Sequence, residues 1–244
     1  MTRDGKRRLA IVTAAAVIAA TSPLWGPRIL RAVPAFYVHA IEVDGARFVG
    51  TEEARALAAI APDASVWDDH RTAEDRLRMH PLVEDVRIRR SGLRRVRIEL
   101  SEVRPVALAP TPLLRPVDGA GELLPLDPAT HALDLPILQG ARVDGDRVAD
   151  EASRRVLASL EGLAALNAGF AGQVSEVRHL PGDAYELVLL SGSHAERLLL
   201  PVEGADKAFL RIEGAVRECG DRGRVISADA RFRDRVVVRL EEGE

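Results

Sequence analysis

Any chemistry in this chain must come from six histidines, one cysteine, a scatter of carboxylates and its arginines. The histidines stand at 39, 70, 80, 131, 179 and 194 with no close pair. A zinc site would need ligands converging from distant stretches, so each reads as a solvated or structurally satisfied residue. The single Cys219 leaves no intrachain disulfide and no multi-cysteine metal site. It falls on the apolar face of a helical pattern and reads as an inert core residue rather than a nucleophile. There is no G-x-S-x-G, no phosphate-binding loop of the G-x-x-x-x-G-K-[ST] kind and no H-E-x-x-H. Nothing here argues for an enzyme, and no cofactor, metal or small-molecule substrate is expected. Two arginine groups remain: Arg87, Arg89, Arg95 and Arg97 in one stretch, and Arg231, Arg233 and Arg235 around Phe232 near the C-terminus. With a net charge of -3 the whole molecule has no electrostatic case for nucleic acid. The first group lacks interleaved aromatics for base stacking and reads as a solvated face.

The elements that must position these residues follow from hydrophobic period. From His80 to Ala107, Val86 and Ile88 alternate with Arg87 and Arg89. After Arg90-Ser91-Gly92, Val96, Ile98 and Leu100 alternate with Arg95, Arg97 and Glu99. Two such runs around a short glycine-containing break predict an antiparallel hairpin with one buried face. Upstream, Tyr37, His39, Ile41 and Val43 predict a strand over Phe36 to Val43, ended by Asp44-Gly45. Thr51 is the expected cap of a helix with Ala54, Leu57, Ala58 and Ala61 on its apolar stripe. Asp68 or Asp69 is the expected cap of a second helix carrying Ala73 and Leu77. Two amphipathic helices on one face of three strands satisfy the burial demand.

At the N-terminus, Arg3, Lys6, Arg7 and Arg8 precede an apolar run from Leu9 to Trp25. As a helix it would be roughly 26 Å long, the short end of a ~30 Å membrane span. The basic flank predicts a cytoplasmic N-terminus with the rest of the chain outside. A cleaved signal peptide, with small residues at Ala19-Ala20-Thr21-Ser22, fits the same run, and the two readings stand open together. Either one exports the bulk of the chain. At 29% charged and 47% hydrophobic residues, the chain as a whole has the composition of folded domains.

Seven of the 14 prolines lie between Pro105 and Pro136, which predicts short edge strands and turns there. Leu113 to Pro125 reads as a hairpin around Asp118-Gly119-Ala120-Gly121. Asp150 is the expected cap of a helix carrying Ala152, Val156, Leu160, Leu163 and Ala164. Strands are expected at Val174–His179, Ala184–Leu190 and Glu196–Leu200. A helix follows from about Ala205 to Cys219, then strands at Val225–Ala228 and about Arg235–Leu240.

The strand-helix-helix-strand-strand order resembles a POTRA domain. Pro81-x-Val83-x-x-Val86-x-Ile88-Arg89-Arg90, Val96-x-Ile98, Glu102-x-Arg104-Pro105-Val106-Ala107, Ile41-x-Val43-x-Gly45 and Trp67 look like the FtsQ/DivIB bacterial cell-division family. Leu135-Pro136-Ile137-Leu138-x-Gly140 resembles a segment of that family's second domain. Asp229-Ala230-Arg231-Phe232 resembles its D-L-R-(Y/F) strand, with Ala230 in place of the leucine. The resemblance implies an α+β protein: a tail at 1–8, a transmembrane helix at 9–26, a linker at 27–35, a POTRA domain at 36–103, a mixed α/β domain with a largely antiparallel sheet at 104–241 and a tail at 242–244. It implies a non-enzymatic, single-pass inner-membrane protein of the division septum. Such a protein links early ring components to FtsL, FtsB and septal peptidoglycan synthesis. In that family the end of the second domain receives a strand and short helix from FtsB. The implied docking residues are Arg231, Phe232, Arg233, Arg235, Val236, Val237 and Val238, with Phe232 the anchor. Edge protection is an equal reading of the three arginines. Two rival classes differ in what they require. An outer-membrane assembly factor would want several POTRA repeats and a barrel. A periplasmic cell-wall enzyme would want a clustered acid–base pair or metal ligands.

Overall fold

A computed structural model of the chain describes residues 12–13, 16–17, 20–21, 29–166, 169–191, 194–219 and 223–241. Most of the expected membrane segment at 9–26 lies outside the described residues. Those of it that are described, from Val12 to Thr21, are helical. Among the described residues no helix is long and apolar enough to cross a membrane. The chain divides into two compact units, residues 1–102 and 103–244.

The first unit runs β1 (Ala40–Asp44), α1 (Thr51–Ala58), α2 (Arg71–Arg78), β2 (Val83–Arg90) and β3 (Arg95–Glu102). Its sheet has the order β1-β3-β2. The hairpin pairs Val86 with Leu100 and Ile88 with Ile98, and β1 lies parallel to β3 with Ile41 opposite Val96 and Val43 opposite Ile98. Central β3 buries Val96, Ile98 and Leu100, and the helices bring Ala54, Ala58, Ala73 and Leu77 into the interior. Alanines at three of those four helical positions let the helices approach the sheet closely.

Three local expectations are corrected. The first strand begins at Ala40, not Phe36, because Pro34 opens a 3-10 turn over Pro34–Phe36. That turn sets the Phe36 ring edge-on to Trp67, with centroids 6.2 Å apart. Thr51 is the first helical residue, not the cap. Gly50 is the N-cap and makes no side-chain cap bond. The cap of α2 is His70. Asp68 instead accepts the Ser65 N–H at 2.6 Å and Asp69 that of Arg71 at 3.1 Å, shaping the turn before the helix. Gly45 is required where it stands: its φ is +83°, and a Cβ there would lie 2.1 Å from the Leu100 carbonyl oxygen.

The second unit contains β4 (Ala107–Ala109), β5 (Arg115–Val117), β6 (Ile137–Gln139), β7 (Val143–Asp144), β8 (Arg147–Val148), α3 (Glu151–Leu166), β9 (Val174–Leu180), β10 (Ala184–Ser191), β11 (His194–Pro201), α4 (Ala205–Cys219), β12 (Arg224–Asp229) and β13 (Val237–Glu241). Eight of these strands form one mixed sheet, ordered β13-β12-β11-β10-β9-β6-β4-β5. Three neighbouring pairs, β11/β12, β9/β6 and β6/β4, are parallel and the others antiparallel. Val156, Leu157, Leu160 and Leu163 of α3 and Ala205, Ala208 and Ile212 of α4 share one core with Tyr185, Leu187, Leu198 and Leu200 of the sheet. Asp150 caps α3 as expected. It accepts the Ser153 N–H at 3.1 Å and the Arg142 N–H at 2.8 Å. Against the burial that would raise it, these bonds hold its carboxyl below the usual range.

Here too the sequence reading needs correcting. Between Leu113 and Pro125 the expected hairpin is present but short: Val117 bridges Leu123, the Asp118 N–H donates to the Glu122 carbonyl at 3.1 Å and the Leu124 N–H to the Pro116 carbonyl at 2.8 Å. β5 pairs chiefly with β4, while the returning arm turns inward to bury Leu123, Leu124 and Leu126. Cys219 is half-buried rather than a core residue, because the buried positions of α4 end at Ile212.

Candidate docking site on the closing strand

β13 is the last strand in the order of the large sheet, and among the described residues β12 is the one strand it pairs with. Val237, Val238 and Arg239 face Asp229, Ala228 and Ser227 across that antiparallel pair. The far side of β13 therefore presents backbone N–H and C=O groups with no strand of the described residues beside them, the condition for accepting another strand. Strand edges in the first unit differ. On β2, Arg78 of α2 donates to the Val86 carbonyl at 2.9 Å and Glu74 accepts the Ile88 N–H at 2.7 Å. On β1, Arg55 donates to the Ile41 carbonyl at 3.1 Å. Side chains thus occupy backbone positions that an added strand would need.

The segment leading into β13 carries the rest of the site. Ala230 is fully buried, and its N–H donates to the Leu199 carbonyl at 2.9 Å. With alanine rather than leucine, the residue still belongs to the core. Phe232 stands out of the surface at 43% exposure, with the Arg235 guanidinium 5.6 Å from its ring centroid. Arg231 turns back on Asp229, donating Nε–H to one carboxylate oxygen at 2.9 Å and Nη2–H to the other at 2.6 Å. The Arg231 guanidinium holds the Asp229 carboxyl below its usual range, and Asp229 raises the pKa of Arg231 in return. Arg235 lies 3.4 Å from Asp234 in an exposed pair, which contributes little. Val236 and Val238 pack partly against the core, and Val237 is exposed. Arg233 lends its backbone carbonyl to Arg211.

Arg211, Lys207 and Asp229 complete the site; the sequence reading places Asp229 in the D-x-R motif without giving it a docking role and passes over the other two. From α4, Arg211 donates to the carbonyls of Arg233 at 2.6 Å and Ala230 at 3.1 Å, pinning both ends of the 230–233 turn. Beside the turn lies an open groove of 520 Å³ lined by Lys207, Arg211, Arg231, Phe232 and Arg233 together with Asp183 and Glu203. The D-x-R spacing was the available signal for Asp229; Arg211 has none, since it stands 19 residues before Ala230 on a separate helix. Its four cationic side chains outnumber its two carboxylates and Phe232 adds an aromatic surface, which suits a partly apolar segment of net negative charge. Among the described residues, no three His, Cys, Asp or Glu side chains converge as metal ligands.

The arginine face of the first unit is held internally. Glu42, opposite Arg97 in the β1–β3 register, takes Arg97 and Arg95 at 3.0 Å each. Asp44 takes Arg97 at 3.2 Å and Glu99 takes Arg89 at 3.4 Å. Arg97 first, then Arg95, hold the Glu42 carboxyl low.

Residues 36–102 match the family described as "POTRA domain, FtsQ-type". The chain is also 32% identical, over 165 residues, to "Cell division protein FtsQ" of Myxococcus fulvus. That match covers 64% of this chain and 58% of the relative, so it spans less than two thirds of the relative's length.

Proposed function

We propose that this chain, which carries an FtsQ-type POTRA domain and is a relative of FtsQ, is a cell-division protein that works by recognition rather than catalysis. Its apolar segment at 9–26 anchors it in the inner membrane, and the two folded units lie outside the cytoplasm at the septum. It links early ring components to FtsL, FtsB and septal peptidoglycan synthesis. The observation that supports this reading best is the open edge of β13 beside Phe232 and its groove. A strand from FtsB adds to β13 through backbone hydrogen bonds. A following helical turn lies against Phe232.

Backbone geometry offers a direct test. Neighbouring residues of an antiparallel strand point their N–H groups to opposite sides. Of Val238→Pro and Arg239→Pro, one removes a bond to β12 and the other removes only a group facing the open edge. The second variant is expected to fold like the parent, to lose FtsB binding, and to leave cells as filaments without septa. Normal binding and division by a folded variant of each kind overturns docking by strand addition.

A further inference from the structure

We infer that the β2–β3 turn of the first unit is a contact for an anionic membrane surface, with Leu93 at its tip and Arg90 and Arg94 at its base. The inference rests on the reading of residues 9–26 as a membrane anchor. Topology supplies the first argument. Because β1 runs parallel to β3, the start of β1 lies beside the start of β3, with Ala40 opposite Arg95. The β2–β3 turn, which delivers the chain into β3, is therefore at the end of the unit where the N-terminal segment arrives.

Contacts fasten that arrival point. Arg31 donates to the Trp67 carbonyl at 2.8 Å and lies 3.6 Å from Asp68. Arg90 sits over the Trp67 ring at 3.9 Å. The His39 N–H donates to the Arg94 carbonyl at 2.8 Å. Only Gly26 to Leu30 separate the apolar run from Arg31, and six Cα steps reach at most about 21 Å. The opposite end of β3 is roughly 24 Å further along the strand. A tether this short holds the turn, and not the far end, near the bilayer.

The turn's composition supplies the second argument. Residues 89–95 are all exposed, and Leu93 keeps 69% of its surface. Neighbouring cations are neutralised: Arg89 by Glu99, Arg95 and Arg97 by Glu42, Arg31 by Asp68. Arg90 and Arg94 meet only the Trp67 ring and the His39 imidazole, with no carboxylate among the described residues. Two surplus guanidinium groups flanking an exposed leucine match a lipid surface of phosphate headgroups over hydrocarbon.

The test uses the full chain in nanodiscs of phosphatidylcholine, alone or mixed with phosphatidylglycerol, and reads amide hydrogen exchange over Arg89–Arg95. Exchange is expected to slow several-fold in the anionic discs and to recover in high salt. Arg94→Glu should remove at least roughly five-fold of that protection. If Arg94→Glu disturbs the fold by releasing His39, Leu93→Ser carries the test, with reduced protection expected. Failure of the chain to incorporate into discs overturns both the anchor and the contact. Incorporation with equal exchange in the two lipids overturns the contact alone and leaves the anchor standing.

Discussion

Replacing Phe232 with alanine tests the docking site at its most informative point. A phenylalanine side chain offers roughly 200 Å², and Phe232 keeps 43% of its surface in the free protein. A partner that covers the remainder removes on the order of 85 Å² from water, worth about 2 kcal/mol at ~25 cal/mol per Å². Alanine retains a part of this, so the expected loss is about 1–2 kcal/mol, or roughly five- to thirty-fold in Kd. The aromatic outranks its cationic neighbours for a structural reason. Arg231 is already committed to Asp229, and a partner carboxylate must compete with that pair. Arg211 holds the turn from behind, so the ring is presented without much ordering cost on binding.

Titration of the 244-residue chain with an FtsB peptide reads the affinity, and a thermal melt reads the fold. The substitution also deletes the covered part of the ring and the contact with Arg235, worth about 0.5–1 kcal/mol at an exposed site. A modest drop in Tm is therefore expected, with the protein still folded at the titration temperature. An affinity within two-fold of the parent, in a variant that melts cooperatively, refutes Phe232 as the anchor. A comparable loss from Val237→Ala alone would place the anchor on the strand instead.

Two predictions concern the first unit. Glu102 accepts the backbone N–H groups of Arg47, Phe48 and Val49 at 3.0, 2.8 and 2.8 Å, clamping the loop before α1. Glu102→Ala is expected to cost about 2–4 kcal/mol, less than three isolated charged hydrogen bonds because water reaches the loop; denaturant unfolding followed by Trp67 fluorescence measures it, and a cost under ~0.5 kcal/mol refutes the clamp. His70 is held below its ordinary 6.5 first by burial, against the pull of Asp68, Asp69 and Glu74. The folded unit therefore resists the proton that the unfolded chain takes up. Stability is fully present above about pH 6.5 and falls as pH drops through that value, with a slope of up to about 1.4 kcal/mol per pH unit. His70→Gln should flatten the stability profile between pH 7 and the folded pKa, and an unchanged slope in the variant refutes the assignment.

Local periodicity carried the sequence reading a long way. The Val86/Ile88 and Val96/Ile98/Leu100 alternation and the α4 stripe need only neighbours in sequence to be seen. Expected caps failed at Thr51 and at Asp68 or Asp69 because a backbone decision by Gly50 and His70 outweighed the side-chain preference. The loop before α1 is held instead by Glu102, more than fifty residues downstream. Pairing of Arg95 and Arg97 with Glu42 was equally hidden. Alternation shows that the arginines face outward, and only the β1–β3 register shows what stands beside them.

Parallel pairing is the common cause. A hairpin announces its register through its turn, whereas a parallel neighbour arrives after a crossover whose landing place no local pattern fixes. β1 beside β3 sets the β2–β3 turn at the end where the chain enters. β12 beside β11, reached through α4, brings Arg211 under the 230–233 turn and leaves β13 outermost. Both surfaces to which a role is assigned are thus products of crossover topology. Their residues were readable as strand or turn, but their accessibility was not.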